Sequence, residues 1–139
     1  MRSEGLARIL IVEDNALNVK LFCDLLAAHG HDARAVTDGR FALDEAREFG
    51  PDLVITDIQL PHVTGLDLIR LIRDDKGLKD VPIMAVTAYA AAADEERIRS
   101  AGAQAYVSKP ISVAKFVAQV NELLGIQGAN GKLPAPEAI

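Results

Sequence analysis

The stretch Leu53-Val54-Ile55-Thr56-Asp57 is a short apolar run that ends in a carboxylate, and the interpretation of the whole chain starts from it. Its length and its β-branched residues are typical of a buried strand. Three other short apolar runs are also followed at once by polar residues capable of chemistry. They are Ile9–Val12 before Glu13 and Asp14, Ile83–Val86 before Thr87, and Ala105–Ser108 before Lys109.

Helical patterns separate these runs, and one more strand-like run, His31–Val36, follows the first of them. Alternating strands and helices predict βα units with a parallel sheet. Five such units fit the flavodoxin-like, doubly wound α/β fold with strand order 2-1-3-4-5. The predicted strands cover about 8–13, 31–36, 53–56, 81–86 and 104–107. The predicted helices cover about 16–29, 39–49, 65–75 and 90–101, and a last one is capped by Ser112.

The first predicted helix carries large apolar residues three and four positions apart, which is typical of a face turned to the core. These residues are Leu17, Leu21, Phe22, Leu25 and Leu26. In the last helix, a similar stripe consists of Phe116, Val117, Val120, Leu123 and Leu124.

The polar residues after the strands should converge, because the carboxyl ends of parallel strands share one edge of a sheet. Three carboxylates at about 4 Å in an effective dielectric of about 20 repel by about 4 kcal/mol per pair. Mg²⁺ relieves such repulsion and prefers a few carboxylates together with water and phosphate oxygens. A carboxylate, Mg²⁺, a lysine and a hydroxyl together indicate a phosphoryl-transfer site.

Each of these residues also has a purely structural interpretation. Asp14 could cap the first helix, Asp57 could be a turn residue, Thr87 could simply end a strand, and Lys109 could be a solvated surface lysine. All four interpretations would have to hold together at the ends of separate strands. That coincidence favours a functional site.

The region from residue 8 to 125 resembles the receiver domain of two-component response regulators, the CheY-like family. The similar segments are Ile9–Asn15, Asp52–Asp57, Pro82–Ala88 and Tyr106–Pro110. A further set resembles single-domain receivers of cell-cycle control: Val12–Asn15 with Asn18, Asp57–Pro61, Asp94–Arg99 and Ser108–Ser112.

The resemblance implies a phosphorelay mechanism. Asp57 would accept a phosphoryl group from a phosphohistidine on a histidine kinase or a histidine phosphotransfer protein. Asp14, Asp57 and the backbone carbonyl of Gln59 would bind Mg²⁺, and Glu13 would hold the ion through water. Lys109 would neutralise charge on the phosphoryl oxygens. Such a protein is a signalling domain rather than an enzyme.

The resemblance also implies a switch. Thr87 would donate a hydrogen bond to the phosphoryl group, and Tyr106 would turn inward with it. The output face would consist of helix four, strand five and helix five, and it would bind a downstream protein in cell-cycle or polarity control.

Two further residues would tune the lifetime of the phosphorylated state, because in the family these positions flank the path of the attacking water. They are Gln59 and Tyr89, two residues after the acceptor and two after the switch threonine. Gln59 is flexible and Tyr89 is bulky, without a carboxylate to orient water. We therefore expect a long-lived phosphoprotein.

Composition narrows the possibilities further. With 139 residues, half of them hydrophobic, the chain predicts one domain over 8–125, an N-terminal extension over 1–7 and a disordered tail over 126–139. No apolar stretch is long enough to insert into a membrane. A net charge of −5 without a basic run argues against nucleic acid, and a single cysteine suits the cytoplasm.

The sequence also allows alternatives within and beyond this family. A phosphatase of the haloacid-dehalogenase type would need a proton-transferring Asp two residues after the nucleophile, where this chain has Gln59. A flavodoxin-like cofactor domain would need a phosphate loop where Glu13 and Asp14 stand, and an unphosphorylated scaffold would not need the acceptor set. A receiver excised from a larger regulator or a hybrid kinase is the last alternative.

Overall fold

The computed structural model describes residues 7–88 and 92–125. Most of the predicted N-terminal extension and the whole predicted tail therefore lie outside the described residues. The same holds for Tyr89 and for the start of the predicted fourth helix.

Five parallel strands form one sheet in the order β2-β1-β3-β4-β5, which confirms the predicted flavodoxin-like topology. The strands are β1 (Arg8–Val12), β2 (Asp32–Val36), β3 (Leu53–Asp57), β4 (Ile83–Thr87) and β5 (Ala105–Ser108). The helices are α1 (Ala16–Ala28), α2 (Ala42–Phe49), α3 (Gly65–Asp74), α4 (Ala92–Ala101) and α5 (Val113–Leu124).

Among the described elements, the starts of the second helix and of the fourth strand differ most from the predictions. The second helix begins with a 3₁₀ turn over Gly39–Phe41 before α2. The fourth strand begins at Ile83 rather than Val81. Pro82 has no N–H to give to the ladder, although its carbonyl accepts a hydrogen bond from Val54 N at 3.0 Å.

Side chains of the sheet point alternately into two cores, one on each face. In β1, Ile9 and Ile11 belong to the core shared with α1 and α5, whereas Leu10 and Val12 belong to the core under α2, α3 and α4. In the first of these cores the rings of Phe22 and Phe116 stack with centroids 5.0 Å apart. Both faces of the sheet are thus covered, as a parallel sheet requires.

The predicted apolar face of α1 is only partly correct. Phe22 and Leu26 are buried, but Leu17 is 79% exposed and Leu21 is 36% exposed. At 3.6 residues per turn, Leu17 and Leu21 form a row about 140° away from the row of Phe22 and Leu26. Only the second row faces the sheet.

Arg73, at the end of α3, ties together the edge of the sheet where the strands begin. Its guanidinium donates to the carbonyls of Gly102, Lys79 and Val81 at 2.7–2.9 Å, and to Gln104 Oε1 at 2.8 Å. Burial lowers the pKa of Arg73. The planar guanidinium satisfies four acceptors from two separate segments, the loop before β4 and the loop between α4 and β5, which an ammonium cannot do with the same geometry.

We predict that Arg73→Lys lowers the free energy of unfolding by about 2–3 kcal/mol, because several charge-assisted hydrogen bonds are lost and their acceptors stay partly buried. Urea unfolding measures this loss. The matched control is Arg70→Lys on the same helix, where the exposed arginine faces only Asp67 at 3.5 Å. Equal effects of the two substitutions would contradict this structural role.

Candidate functional site at the carboxyl edge of the sheet

Three carboxylates meet where β1 and β3 end. Asp57 is the last residue of β3, and Glu13 and Asp14 follow directly after β1, the neighbouring strand. One oxygen atom of each lies within 4.8 Å of the others. Parallel pairing of Val12 with Thr56 sets this position, so the predicted convergence of these carboxylates is observed.

The three carboxylates differ in their surroundings. Glu13 and Asp57 are only 1% and 3% exposed, whereas Asp14 is exposed to solvent. The backbone N–H of Gln59 donates to Asp57 Oδ1 at 3.0 Å, and that of Asn15 donates to Glu13 Oε2 at 3.2 Å. The buried pair is therefore held by the backbone, and Asp14 faces the opening.

Lys109 supplies the positive charge of the site. Its Nζ lies 2.9 Å from Asp57 Oδ2 and 3.6 Å from Glu13 Oε1. Its backbone N–H donates to the carbonyl of Thr87 at 2.7 Å, and the peptide bond to Pro110 is cis. Burial opposes the charged form of Lys109, but the hydrogen bond and the attraction of Asp57, together with Glu13, outweigh it and raise the pKa of the ammonium.

Glu13 has the least favourable electrostatic environment that the structure resolves in the cluster. Burial, followed by repulsion from Asp57, raises the pKa of its carboxyl, although the Asn15 amide and Lys109 act against this. Its Oε1 is the one buried side-chain nitrogen or oxygen atom of the described residues that has no hydrogen-bond partner. A buried carboxylate oxygen without a hydrogen bond, 3.6 Å from the Lys109 ammonium and beside two other carboxylates, suits a hard cation or a water molecule bound to one.

The two predicted switch residues lie on neighbouring strands. Thr87 ends β4 with a 1% exposed side chain, one residue beyond the position that pairs with Asp57. Tyr106 lies in β5, and its hydroxyl donates to Glu95 Oε1 of α4 at 3.1 Å. This hydrogen bond, and then burial, raises the pKa of the phenol. The structure thus links Tyr106 to α4.

The loop of residues 58–64, called the acceptor loop after the predicted role of Asp57, joins β3 to α3 and contains two features that the sequence did not predict. His62 has φ of +70°, and Val63 N donates to Pro61 O at 2.8 Å, which makes a tight γ-turn in a conformation that is uncommon for a non-glycine residue. Gly65, directly after the loop, lies against the backbone of Asp57. A Pro followed four residues later by Gly was the available signal. Gln59 is exposed in this loop, and Tyr89 lies outside the described residues.

The sequence model of the response regulator receiver domain matches residues 9–121, so this chain belongs to the receiver domain family of two-component signalling. The chain is 50% identical over 117 residues to the polar-differentiation response regulator DivK of Brucella abortus, and DivK of Brucella melitensis matches equally well. The match covers 84% of this chain and 95% of DivK. Receiver domains and DivK are signalling proteins rather than classical enzymes.

Solved structures agree with this family. The receiver domain of the sensor histidine kinase PA1611 from Pseudomonas aeruginosa has a TM-score of 0.79 at 32% identity, over 86% of this chain and 98% of that one. It contains a magnesium ion coordinated in its active site cleft. The chemotaxis protein CheY4 of Vibrio cholerae has a TM-score of 0.81 at 23% identity, over 85% of this chain and 98% of its own, and it supports the fold alone.

We predict that Glu13→Gln stabilises the protein at about pH 7 without divalent cations, because it removes a desolvated charge that Asp57 repels. In the parent, the folded state holds the Glu13 proton more tightly than the unfolded state. Lowering the pH through the raised pKa towards 4.5 therefore stabilises the parent relative to the variant. Urea unfolding in a chelating buffer at several pH values measures the difference.

The control is Glu122→Gln, at an exposed position near the end of α5. This substitution removes one carboxylate at an exposed position, so it reports what the loss of a single negative charge does to the unfolding free energy over the same pH range. Suppose that the difference in unfolding free energy between the parent and Glu13→Gln varies with pH no more than that between the parent and Glu122→Gln. The burial of Glu13 would then carry no cost.

Proposed function

We propose that this protein is a response regulator whose Asp57 accepts a phosphoryl group from a phosphohistidine on a histidine kinase or a histidine phosphotransfer protein. One observation carries the proposal: a buried carboxylate at a strand end lies 2.9 Å from a lysine ammonium and beside two further carboxylates. The likeness to DivK supports it.

In the proposed reaction, a carboxylate oxygen of Asp57 attacks the phosphorus atom. The O–P bond forms as the N–P bond breaks, and the electron pair returns to the imidazole nitrogen of the donor. The Gln59 amide orients Asp57 through Oδ1, which leaves Oδ2 on the side of Lys109. The Lys109 ammonium would then neutralise charge on the phosphoryl oxygens.

We further propose a Mg²⁺ site. Asp14, Asp57 and the backbone carbonyl of Gln59 would bind the ion, and Glu13 would hold it through water. The three clustered carboxylates fit such a cation, and so does the Oε1 of Glu13, which has no hydrogen bond. When bound, Mg²⁺ would offset carboxylate repulsion and the charge of the phosphoryl group.

The proposed output is a change in protein contacts. Thr87 would donate to the phosphoryl group, and Tyr106 would turn inward and give up its hydrogen bond to Glu95. That bond joins β5 to α4, so its loss would alter the face of α4, β5 and α5 where we place the downstream partner. The relatives' name supports a role in polarity or the cell cycle, and the whole receiver, over 8–125, would act in the cytoplasm.

The exposed row of α1 is our proposed docking surface for the phosphodonor. Leu17 and Leu21 lie one turn apart, beginning two residues after Asn15, whose side chain caps α1 beside the acceptor site. Large exposed apolar side chains next to a reaction centre are typical of an interface. A helix that bears the phosphohistidine could pack there and present its imidazole to Asp57.

Asp57→Asn should abolish phosphorylation by a kinase that labels the parent, because the amide is nearly isosteric with the carboxylate but a poor nucleophile. Transfer from a radiolabelled phosphohistidine protein measures it, and circular dichroism verifies the fold. Asp44→Asn, at an exposed position on α2, is the control and should be labelled like the parent. Undiminished labelling of a folded Asp57→Asn variant would refute the acceptor.

Leu17→Ser should slow transfer from the phosphohistidine protein about tenfold, which corresponds to about 1.4 kcal/mol of lost docking energy. Phosphorylation by phosphoramidate, a small donor that needs no docking surface, should keep its parental rate. Leu71→Ser, at an exposed position on α3, is the matched control. Equal slowing by both donors would place the effect of Leu17 in the site rather than in docking.

A further inference from the structure

Gly65 brings the first turn of α3 into direct contact with the end of β3. Its N–H donates to the carbonyl of Ile58 at 2.9 Å. A Cβ atom at this position would overlap the carbonyl oxygen of Asp57 and lie 2.6 Å from Ile58 Cα. Gly65 is not among the glycines with positive φ, so the position requires space rather than an unusual backbone conformation.

The acceptor loop is also held from its other side. A Cβ atom on Gly39, in the 3₁₀ turn before α2, would lie 3.1 Å from the carbonyl oxygen of Val63 and 3.5 Å from a methyl group of Leu60. Leu60 is 7% exposed and anchors the middle of the loop in the core. Two close backbone approaches, at Gly65 and Gly39, therefore leave the loop little room to shift.

We propose that Gly65 is a positioning residue for the acceptor, because its missing side chain lets α3 hold the backbone of Asp57 and Ile58 in place. This inference rests on the proposed function. Gln59 follows Ile58 directly, its N–H donates to Asp57 Oδ1 at 3.0 Å, and its carbonyl is the proposed ion ligand. A side chain at Gly65 moves these groups together, and a shift of about 1 Å suffices to impair such a site.

The deciding experiment compares Gly65→Ala with Gly50→Ala. Gly50 ends α2 with φ of +65°, and the nearest atom to an added Cβ is a side-chain nitrogen of Arg8 at 3.5 Å. Gly50→Ala therefore strains the backbone far from the site and reports general destabilisation. Calorimetry measures the Kd for Mg²⁺ well below the melting temperature, and NMR measures hydrogen exchange of the Gln59 amide without metal.

Gly65→Ala should raise the Kd for Mg²⁺ about tenfold and speed up exchange of the Gln59 amide. Gly50→Ala should lower the melting temperature but leave both quantities unchanged. Parental values of the Kd and of the exchange rate in Gly65→Ala would overturn the inference. Equal changes in both variants would also overturn it, because the effect would then be general destabilisation.

A second variant covers the case in which Gly65→Ala does not fold. In Gly39→Ala, the added Cβ atom makes a milder close contact with the far side of the same loop. It should change the Kd for Mg²⁺ and the exchange rate of the Gln59 amide in the same direction, by a smaller factor. Parental values there would then overturn the inference. If the parent binds no Mg²⁺ and takes no phosphoryl group on Asp57, the proposed function fails, whereas exchange of the Gln59 amide still tests the positioning role.

Discussion

The contact between the Lys109 ammonium and the Asp57 carboxylate is the interaction around which the candidate site is built. Asp57 and Glu13 are almost completely buried, and two buried negative charges side by side are costly without a nearby cation. Lys109 lies close to both and is held by a backbone hydrogen bond to the end of β4. The ends of β1, β3, β4 and β5 must therefore keep their relative positions for the charges to balance.

The charges of the candidate site are not balanced, which suits the proposed binding of a cation. One ammonium faces three carboxylates, and an oxygen of Glu13 has no hydrogen-bond partner among the described residues. The arrangement favours whatever brings positive charge or hydrogen-bond donors to the opening, and under the proposed function it would change when a phosphoryl group is added to Asp57. A site whose charges were already balanced would bind a cation less favourably and would change less on phosphorylation.

Sequence alone predicted the strand order and the convergence of Glu13, Asp14, Asp57 and Lys109, because parallel strands place their carboxyl ends at one edge. Their roles in phosphoryl transfer stay predictions. Sequence could not predict that Leu17 points to solvent, since helical spacing does not say which of two apolar rows faces the sheet. Sequence also could not predict that position 65 requires glycine, because this requirement arises from a close contact with Asp57 in the folded backbone.

Arg73 lies at the opposite edge of the sheet from the carboxylates, where its guanidinium joins the end of α3 to the start of β4 and the end of α4. One edge of the sheet is held together by the hydrogen bonds of Arg73, and the other carries the carboxylate cluster and Lys109. Because these two sets of contacts share no residue, substitutions around the carboxylates leave the hydrogen bonds of Arg73 in place.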